Sequence, residues 1–193
     1  MYDKLFNYIE QYAGLPLTET DRQIIQEVFV PMKLRKKQYF LQEGEVCKYM
    51  AFIVKGATRQ YTVDDKGAEH MVQLAIENWW ISDRESFTML TPTIYNIDAW
   101  EDCELLTTTK ADATRLAHIP AAVQALREMD INHAIAMQKR VSSAIAMTAE
   151  QRYAQLVESN PTFLQRFPQH MIASYLGMTK ETLSRIRMKA SGK

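Results

Sequence analysis

The stretch that decides the fold is Gln169-His170-Met171-Ile172-Ala173-Ser174-Tyr175-Leu176-Gly177-Met178-Thr179-Lys180-Glu181-Thr182-Leu183-Ser184-Arg185-Ile186-Arg187. Pro168 can sit in the first turn of a helix that runs up to Gly177, and Gly177 can end that helix in the left-handed conformation. Thr179 has the hydroxyl that caps a second helix, and Glu181 lies in its positive first turn. The stretch therefore predicts two helices joined by a short glycine turn.

Two helices that cross steeply over so short a turn need a small residue where they touch, and Ala173 supplies it. Leu183 and Ile186 are then expected to face Ile172 and Leu176 on the inner side. The outward side of the second helix is polar and mostly cationic; it carries Lys180, Glu181, Ser184, Arg185 and Arg187. This pattern predicts a helix-turn-helix whose second helix enters the major groove of double-stranded DNA. The alternative is an ordinary helical hairpin with a solvated polar face.

The residue types on the outward side match the groups that DNA presents. Arg185 and Lys180 can donate to guanine O6 and N7, and Glu181 can accept from a cytosine amino group. Four further residues are predicted to bind phosphates: Thr179, Gln169, Arg187 and Lys189. Ser184 completes the predicted DNA-binding face. Because one helix covers only a few base pairs, two copies on a palindrome are expected.

Charge is unevenly distributed along the 193-residue chain, although its formal net charge is zero. From Thr148 to Lys193 there are seven basic and three acidic residues, a local net charge of +4. The remainder therefore carries −4, and the basic end suits contact with phosphate. Two domains are predicted: an effector domain over residues 1–147 and a helix-turn-helix domain over 148–193.

The effector domain changes from helical to β patterning along the chain. Up to about Val30, apolar residues recur at helical spacing, and Thr18 can cap a second helix that Pro31 ends. Between about Lys33 and Lys110, short apolar runs alternate with Gly or acidic turns. About eight strands are expected from that spacing, in a compact sandwich, roll or barrel.

Beyond the β region, the sequence predicts a short helix over 121–129 and a long helix over about 131–147. The long helix has a broad apolar stripe that includes Ile131, Ile135, Val141 and Ile145. Because this stripe is wider than one packing contact needs, half of it could pair with a second copy of the chain. Burial of the whole helix within one protomer is the alternative. A separate helix is predicted over 150–158.

Several classes of protein and site are excluded by what the sequence lacks. No window approaches the ~18 uninterrupted apolar residues of a membrane span, and the first residues show no secretion signal, so a cytoplasmic protein is expected. Cys47 and Cys103 fit no disulfide or metal-binding pattern, and the four histidines have no ligand spacing. No catalytic motif is present. The chain is therefore predicted to be no enzyme and to hold no metal or cofactor.

The order of these segments and their motifs resembles the Crp/Fnr superfamily of bacterial transcription regulators. The resemblance rests on residues 179–186, on the roll segment 52–59 and on 99–105, and it covers nearly the whole chain. It implies an α+β fold with an amino-terminal β-roll, which is a double-stranded β-helix of the cyclic-nucleotide-binding type. A long dimerisation helix and a carboxy-terminal winged-helix-like helix-turn-helix domain follow. The resemblance also implies a homodimer in which Lys180, Glu181 and Arg185 touch bases.

The matching cassette departs from the one that binds cyclic AMP in this superfamily. Members with that activity hold the ribose with a Gly-Glu pair and the cyclic phosphate with an Arg-Ser or Arg-Thr pair. Here Ser82 and Asp83 stand at the first pair, and Thr93 begins the second. Asp83 could still accept from a ribose hydroxyl. A buried phosphate also needs a cation, for which Arg84 and Arg59 are the candidates.

Two further residues complete the predicted effector pocket. Trp80 belongs to an aromatic group that forms either a ligand cavity or simply core; the others are Trp79, Tyr95 and Trp100. Gln138 interrupts the stripe of the long helix and could face solvent, a ligand or the partner helix. The predicted pocket residues are Arg59, Trp80, Ser82, Asp83, Arg84, Thr93 and Gln138.

The sequence shows no β-hairpin wing of the kind found in the superfamily, because Lys193 follows soon after Ile186, with Ala190-Ser191-Gly192 as a flexible tail. We therefore expect a domain that lacks the wing and DNA binding that depends strongly on salt. Three functions stay open. They are a regulator whose roll senses an unknown small molecule or none, a regulator that responds to a cyclic nucleotide, and a protein-interaction module that does not bind DNA.

Overall fold

The computed structural model describes residues 1–190. The predicted flexible tail begins at Ala190, which instead ends the last helix, while Ser191 and Gly192 lie outside the described residues. The chain divides into two compact units. Unit 1 consists of Met1–Gln60 and Ala75–Asn132, and unit 2 consists of Tyr61–Leu74 and the segment that begins at His133. The functional boundary near Thr148 stays a prediction.

Unit 1 begins with two helices, α1 (Tyr2–Ala13) and α2 (Glu19–Val28), as the apolar spacing predicts. Thr18 caps α2 reciprocally, since its Oγ1 accepts from the Asp21 amide and the Asp21 carboxylate accepts from the Thr18 amide. The prediction that Pro31 ends α2 is wrong. The helix ends at Val28, and Pro31 lies in a strand at the edge of a sheet, where a missing N–H donor is tolerated.

The β region contains eight strands among the described residues, as its spacing predicts. They are β1 (Val30–Leu34), β2 (Tyr39–Leu41), β3 (Tyr49–Lys55), β4 (Thr58–Val63), β5 (Glu69–Ala75), β6 (Trp80–Ile81), β7 (Asn96–Ala99) and β8 (Cys103–Thr109). They form two four-stranded sheets with the orders β1-β8-β3-β6 and β2-β7-β4-β5. The pairings of β1 and β3 with β8, of β3 with β6 and of β2 with β7 are antiparallel, as expected of a roll.

The core of unit 1 has two apolar clusters. In the first, Leu5 of α1 and Ile25 of α2 belong with Phe52 of β3 and Leu106 of β8, and all four are fully buried. The second cluster is formed mainly by strand residues and includes Leu41, Ile53, Ile97 and Leu105. Burial of each such side chain contributes about 1.5–3 kcal/mol, so the two clusters stabilise the roll.

Three helical segments accompany the roll: α3 (Arg84–Met89), α4 (Lys110–Ala113) with a 3-10 turn at Thr114–His118, and α5 (Pro120–Ala146). The predicted break between residues 129 and 131 is wrong, because α5 is one continuous helix of 27 residues. No Pro or Gly follows Pro120 within it, and an aspartate such as Asp130 does not by itself break a helix.

Unit 2 contains four further helices: α6 (Ala149–Ser159), α7 (Phe163–Arg166), α8 (Gln169–Tyr175) and α9 (Lys180–Ala190). Thr148 caps α6 through a capping box with Gln151, which produces the separate helix that the sequence predicts. The buried residues of these helices include Leu156, Phe163, Phe167, Met171 and Leu183. No helix among residues 1–190 is long and apolar enough to cross a membrane.

Candidate nucleic-acid interface and effector site

The turn between α8 and α9 has the geometry that its sequence predicts. Gly177 follows α8 in the left-handed conformation, with φ of 65°. Thr179 then caps α9, since its Oγ1 accepts from the Thr182 amide at 3.2 Å. The Met178 amide donates to the Ala173 carbonyl at 3.0 Å, which fixes the turn against α8. Both predicted helices and the glycine turn are therefore present.

α9 has a buried side and an exposed side. Leu183 and Ile186 are buried, and α8 contributes Ile172 and Ala173, both only 1% exposed. Leu176 is half-buried at the end of α8. The predicted packing of the two helices is thus observed, and it determines which residues of α9 face outward.

All eight residues predicted to bind DNA lie in unit 2. Six are exposed, namely Gln169 and Thr179 at the starts of the two helices and Lys180, Glu181, Arg185 and Lys189 on α9. The other two, Ser184 and Arg187, are half-buried. The charged groups predicted to touch bases therefore lie on the surface of the chain.

Arg152 of α6 holds the turn, and sequence reasoning did not identify it. Its guanidinium donates to the carbonyl oxygens of Leu176 at 3.0 Å, Gly177 at 3.5 Å and Met147 at 2.9 Å. A cation is favourable at a helix carboxyl end because the carbonyls there lack helical partners. Its partners in the turn lie 24 and 25 residues further along the chain, so no local sequence pattern predicts the contact of Arg152 with the turn.

The cassette that would hold a cyclic nucleotide is closed by its own hydrogen bonds. Asp83, which follows the half-buried Ser82, is only 6% exposed and caps α3. One carboxylate oxygen accepts from the Glu85 amide at 3.0 Å and from the Ser86 amide at 3.3 Å. The other accepts from the Thr93 hydroxyl at 2.6 Å. Both oxygens of the predicted ribose acceptor are therefore engaged within the chain.

The same region is held by a second buried set of hydrogen bonds. The Ser86 hydroxyl accepts from the Cys47 amide at 2.8 Å and donates to the Thr91 carbonyl at 2.6 Å. Burial raises the pKa of the Cys47 thiol, which favours its protonated form. These contacts join α3 to the segment before β3 and leave the loop few polar groups for a ligand.

The two candidate phosphate cations are both paired with carboxylates. Arg59 forms a bidentate ion pair with Asp98 at 2.8 Å, and their side chains are 14% and 7% exposed. Arg84 at the start of α3 pairs with Asp130 of α5 on the surface. Arg59 would have to leave Asp98 to meet a phosphate, and breaking a buried pair is strongly unfavourable. The exposed pair of Arg84 holds its partner only weakly.

Trp80 packs in the first core cluster of unit 1. Its ring centre lies 5.2 Å from that of Phe52, 5.9 Å from Phe29 and 6.0 Å from Tyr8. Burial raises the pKa of Tyr8 to about 12. Trp79 packs on the second cluster instead. The two adjacent tryptophans therefore lie in different parts of the core, and for Trp80 the core interpretation accounts for its contacts.

The second half of α5 exposes an apolar stripe. The exposed fractions are 46% for Ile131, 44% for Ile135, 59% for Val141 and 81% for Ile145. Gln138 is also exposed, in the middle of this stripe. Ordinary monomeric proteins rarely expose so continuous an apolar surface, so burial of the whole helix within one protomer does not describe this chain.

Comparisons with known proteins agree with this architecture. Residues 31–118, which run from β1 to the 3-10 turn, match the family described as the cyclic nucleotide-binding domain. Comparison of the sequence with curated proteins gave no match. Among solved structures, FixK2 from Bradyrhizobium japonicum is 17% identical over 86% of this chain and 85% of that chain, with a TM-score of 0.69. The chain has the Crp/Fnr fold. A CooA mutant from Carboxydothermus hydrogenoformans is also 17% identical, over 91% of this chain and 81% of that chain, with a TM-score of 0.70.

A third structure with the Crp/Fnr fold is CLP from Xanthomonas campestris, described as a c-di-GMP responsive global regulator. It is 12% identical over 88% of this chain and 91% of that chain, with a TM-score of 0.66. The resemblance identified in the sequence and the α+β class that it implies are thus confirmed. Besides CLP, a further structure with this fold is described as a putative cAMP-binding regulatory protein from Silicibacter pomeroyi; it is 19% identical over 91% of this chain and 83% of that chain, with a TM-score of 0.62.

Proposed function

We propose that the chain is a transcription regulator that binds a palindromic DNA operator as a homodimer in the cytoplasm. The observation that carries this proposal is the two-sided character of α9. Its apolar residues Leu183 and Ile186 are buried within unit 2, while Lys180 and Arg185 are exposed. A helix braced in this way can enter a major groove without losing its own packing.

The chemistry of the exposed side suits base recognition. Arg185 donates to the O6 and N7 acceptors of guanine, Lys180 does so as a single point charge, and Glu181 accepts from a cytosine amino group. Gln169 and Thr179 contribute phosphate contacts from the helix starts, with Arg187 and Lys189 further along α9 and Ser184 between them. Each good bidentate base contact is worth about 1–3 kcal/mol of discrimination.

Dimerisation is supported by the uncovered stripe of α5. Ile131, Gln138 and Ile145 recur every seven residues, and Ile135 and Val141 widen the stripe. A seven-residue repeat is the spacing at which two helices pair along one seam, and a polar residue within the seam can fix their register. Two copies would then present two recognition helices to the half-sites of a palindrome.

The proposed effector of the roll is a small molecule other than cyclic AMP, or none. Asp83 is already engaged with Thr93, and Arg59 and Arg84 are already paired. The description of CLP as c-di-GMP responsive supports the idea that this fold responds to ligands besides cyclic AMP. An effector would act by binding more tightly to one of two dimer conformations that differ in the angle between the two long helices. A change of this angle would alter the spacing of the two recognition helices.

Selection from a random DNA pool tests DNA binding directly. We expect the wild type to enrich a palindrome, and Arg185→Ala to weaken binding to it by about 5- to 150-fold, because one base contact is lost. Arg35→Ala is the matched control, since Arg35 is also exposed but lies between β1 and β2 in unit 1. Enrichment of no sequence by the wild type would overturn the proposal in favour of a protein-interaction module.

A further inference from the structure

Arg140 of α5 contacts two other segments of unit 2 at once. Its guanidinium donates to the carbonyl of Val72 and, at 3.3 Å, to that of Met71, both on β5. It also donates to the Tyr175 carbonyl at 3.5 Å, and its Cζ lies 4.5 Å from the centre of the Tyr175 ring. One side chain thus joins the long helix to a β-hairpin of the roll and to the end of α8.

The hairpin and α8 are also joined directly, through Ser174. The Ser174 hydroxyl accepts from the Met71 amide at 2.9 Å and donates to the Glu69 carbonyl at 3.3 Å. These bonds satisfy backbone groups of β5 that would otherwise need water. They explain why Tyr61–Leu74 belongs to unit 2 together with the last four helices.

Hydrogen bonds also fix the turn of the hairpin formed by β4 and β5. The Asp64 carboxylate accepts from the Lys66 and Ala68 amides, both at 2.9 Å, and lies 2.9 Å from the His70 ring. The hydrogen bond with His70 is the main cause that lowers the pKa of Asp64, followed by that with the Ala68 amide.

The carboxyl end of α8 receives two arginines from two different helices. Arg140 of α5 reaches the carbonyl of Tyr175, and Arg152 of α6 reaches the next two carbonyls, those of Leu176 and Gly177. Three consecutive carbonyls immediately before the recognition helix are therefore held by cations. A charged donor to such carbonyls is stronger than a neutral one, which makes the attachment directional.

We propose that Arg140 is a positioning residue for DNA recognition, which fixes α8 and hence α9 to the long helix and to the β4–β5 hairpin. This inference rests on the proposed function. With these contacts in place Lys180 and Arg185 remain exposed, so the contacts of Arg140 leave the predicted DNA-binding side of α9 uncovered. Arg140 is not predicted to contact DNA. Its effect on DNA binding is indirect and depends on its contact with α8.

The test compares Arg140→Ala with Lys139→Ala, which removes the same charge from the neighbouring, exposed position on α5. Hydrogen exchange is measured on the full-length protein without DNA. In Arg140→Ala the amides of residues 69–75 and 174–178 are expected to exchange about tenfold faster, because a local closed state is lost. Lys139→Ala is expected to match the wild type. Unchanged exchange in Arg140→Ala would overturn the proposal that Arg140 fixes α8, whether or not the chain binds DNA.

DNA affinity supplies the second readout. On the enriched palindrome, Arg140→Ala is expected to bind about tenfold more weakly, within the range typical of coupling energies. The dependence of affinity on salt concentration should keep its slope, because no phosphate contact is removed. The DNA affinity of Arg140→Lys should lie between those of the wild type and Arg140→Ala, since an ammonium cannot donate to three carbonyls and also stack on a ring. Unchanged or tighter binding, or a reduced salt slope, would contradict a positioning role.

Discussion

Gly56, between β3 and β4, lies where the backbone passes too close to another segment for any side chain. Its φ is +100°, a conformation that other residues rarely adopt. A Cβ placed there would lie 2.5 Å from the Asp102 carbonyl oxygen and 2.7 Å from the Cys103 Sγ. Glycine is therefore required for two independent reasons, its backbone conformation and its size.

Gly56→Ala is expected to lower the free energy of unfolding by about 3 kcal/mol or more, because backbone strain and steric overlap add. Urea denaturation followed by tryptophan fluorescence measures this loss. Gly67→Ala is the matched control: its φ is +79°, but a Cβ there would meet nothing within 4 Å. The control should lose only about 1–2 kcal/mol from strain. Equal losses for the two variants would show that Gly56 is not a close approach.

For single residues in the cassette, the sequence predicts chemical type but not partner. Asp83 is predicted as an acceptor for a ribose hydroxyl, and the hydroxyl that donates to it in the structure is that of Thr93 in the same chain. Arg59 is a candidate for a phosphate, and in the structure it pairs with Asp98, 39 residues away. Such pairings depend on how strands are brought together, which residue types and spacing do not determine.

For helices and turns, the sequence predicts the structure where the interaction that determines it joins residues close together in the chain. Thr18 and Thr179 cap helices where the sequence predicts, because a cap acts within three residues. Helix α3 was not predicted, since six residues are too few for an apolar period and Asp83 at its start has the character of a ligand group. The predicted break in α5 is absent, although the side chains of this helix change from buried alanines near its start to exposed isoleucines further along.

The loop from β6 through α3 to Thr93 leads to a prediction about ligand binding. We expect no heat of binding in calorimetry with cyclic AMP or cyclic GMP at millimolar concentration. A nucleotide would have to displace Thr93 from Asp83, and binding of its phosphate by Arg59 would break the buried pair with Asp98. Thermal unfolding of the same sample confirms that it is folded. A saturable heat that Arg59→Ala or Arg84→Ala abolishes would establish the cyclic nucleotide function instead.

For the whole molecule, the uncovered stripe of α5 matters more than any single contact. The sequence shows its breadth but not its exposure, because an apolar stripe looks the same whether the roll or a second chain covers it. The structure separates the two halves of the helix: Ala121, Ala122 and Ala125 are buried, while Ile135 and Ile145 are 44% and 81% exposed. Charge is also unevenly divided along the chain, with a local net charge of +4 from Thr148 to Lys193 and −4 in the remainder.

A charge placed in this stripe should therefore separate the two copies. Ile145→Glu is expected to sediment as a monomer at micromolar concentration, where we expect the wild type to sediment as a dimer, because a carboxylate would be buried at the seam. It should also lose binding to the palindrome while a half-site is still bound weakly, since α9 is untouched. Ile94→Glu is the matched control, as Ile94 is 63% exposed in the loop after α3. A dimeric Ile145→Glu, or a wild type that is monomeric at every concentration, would remove the basis for palindrome recognition.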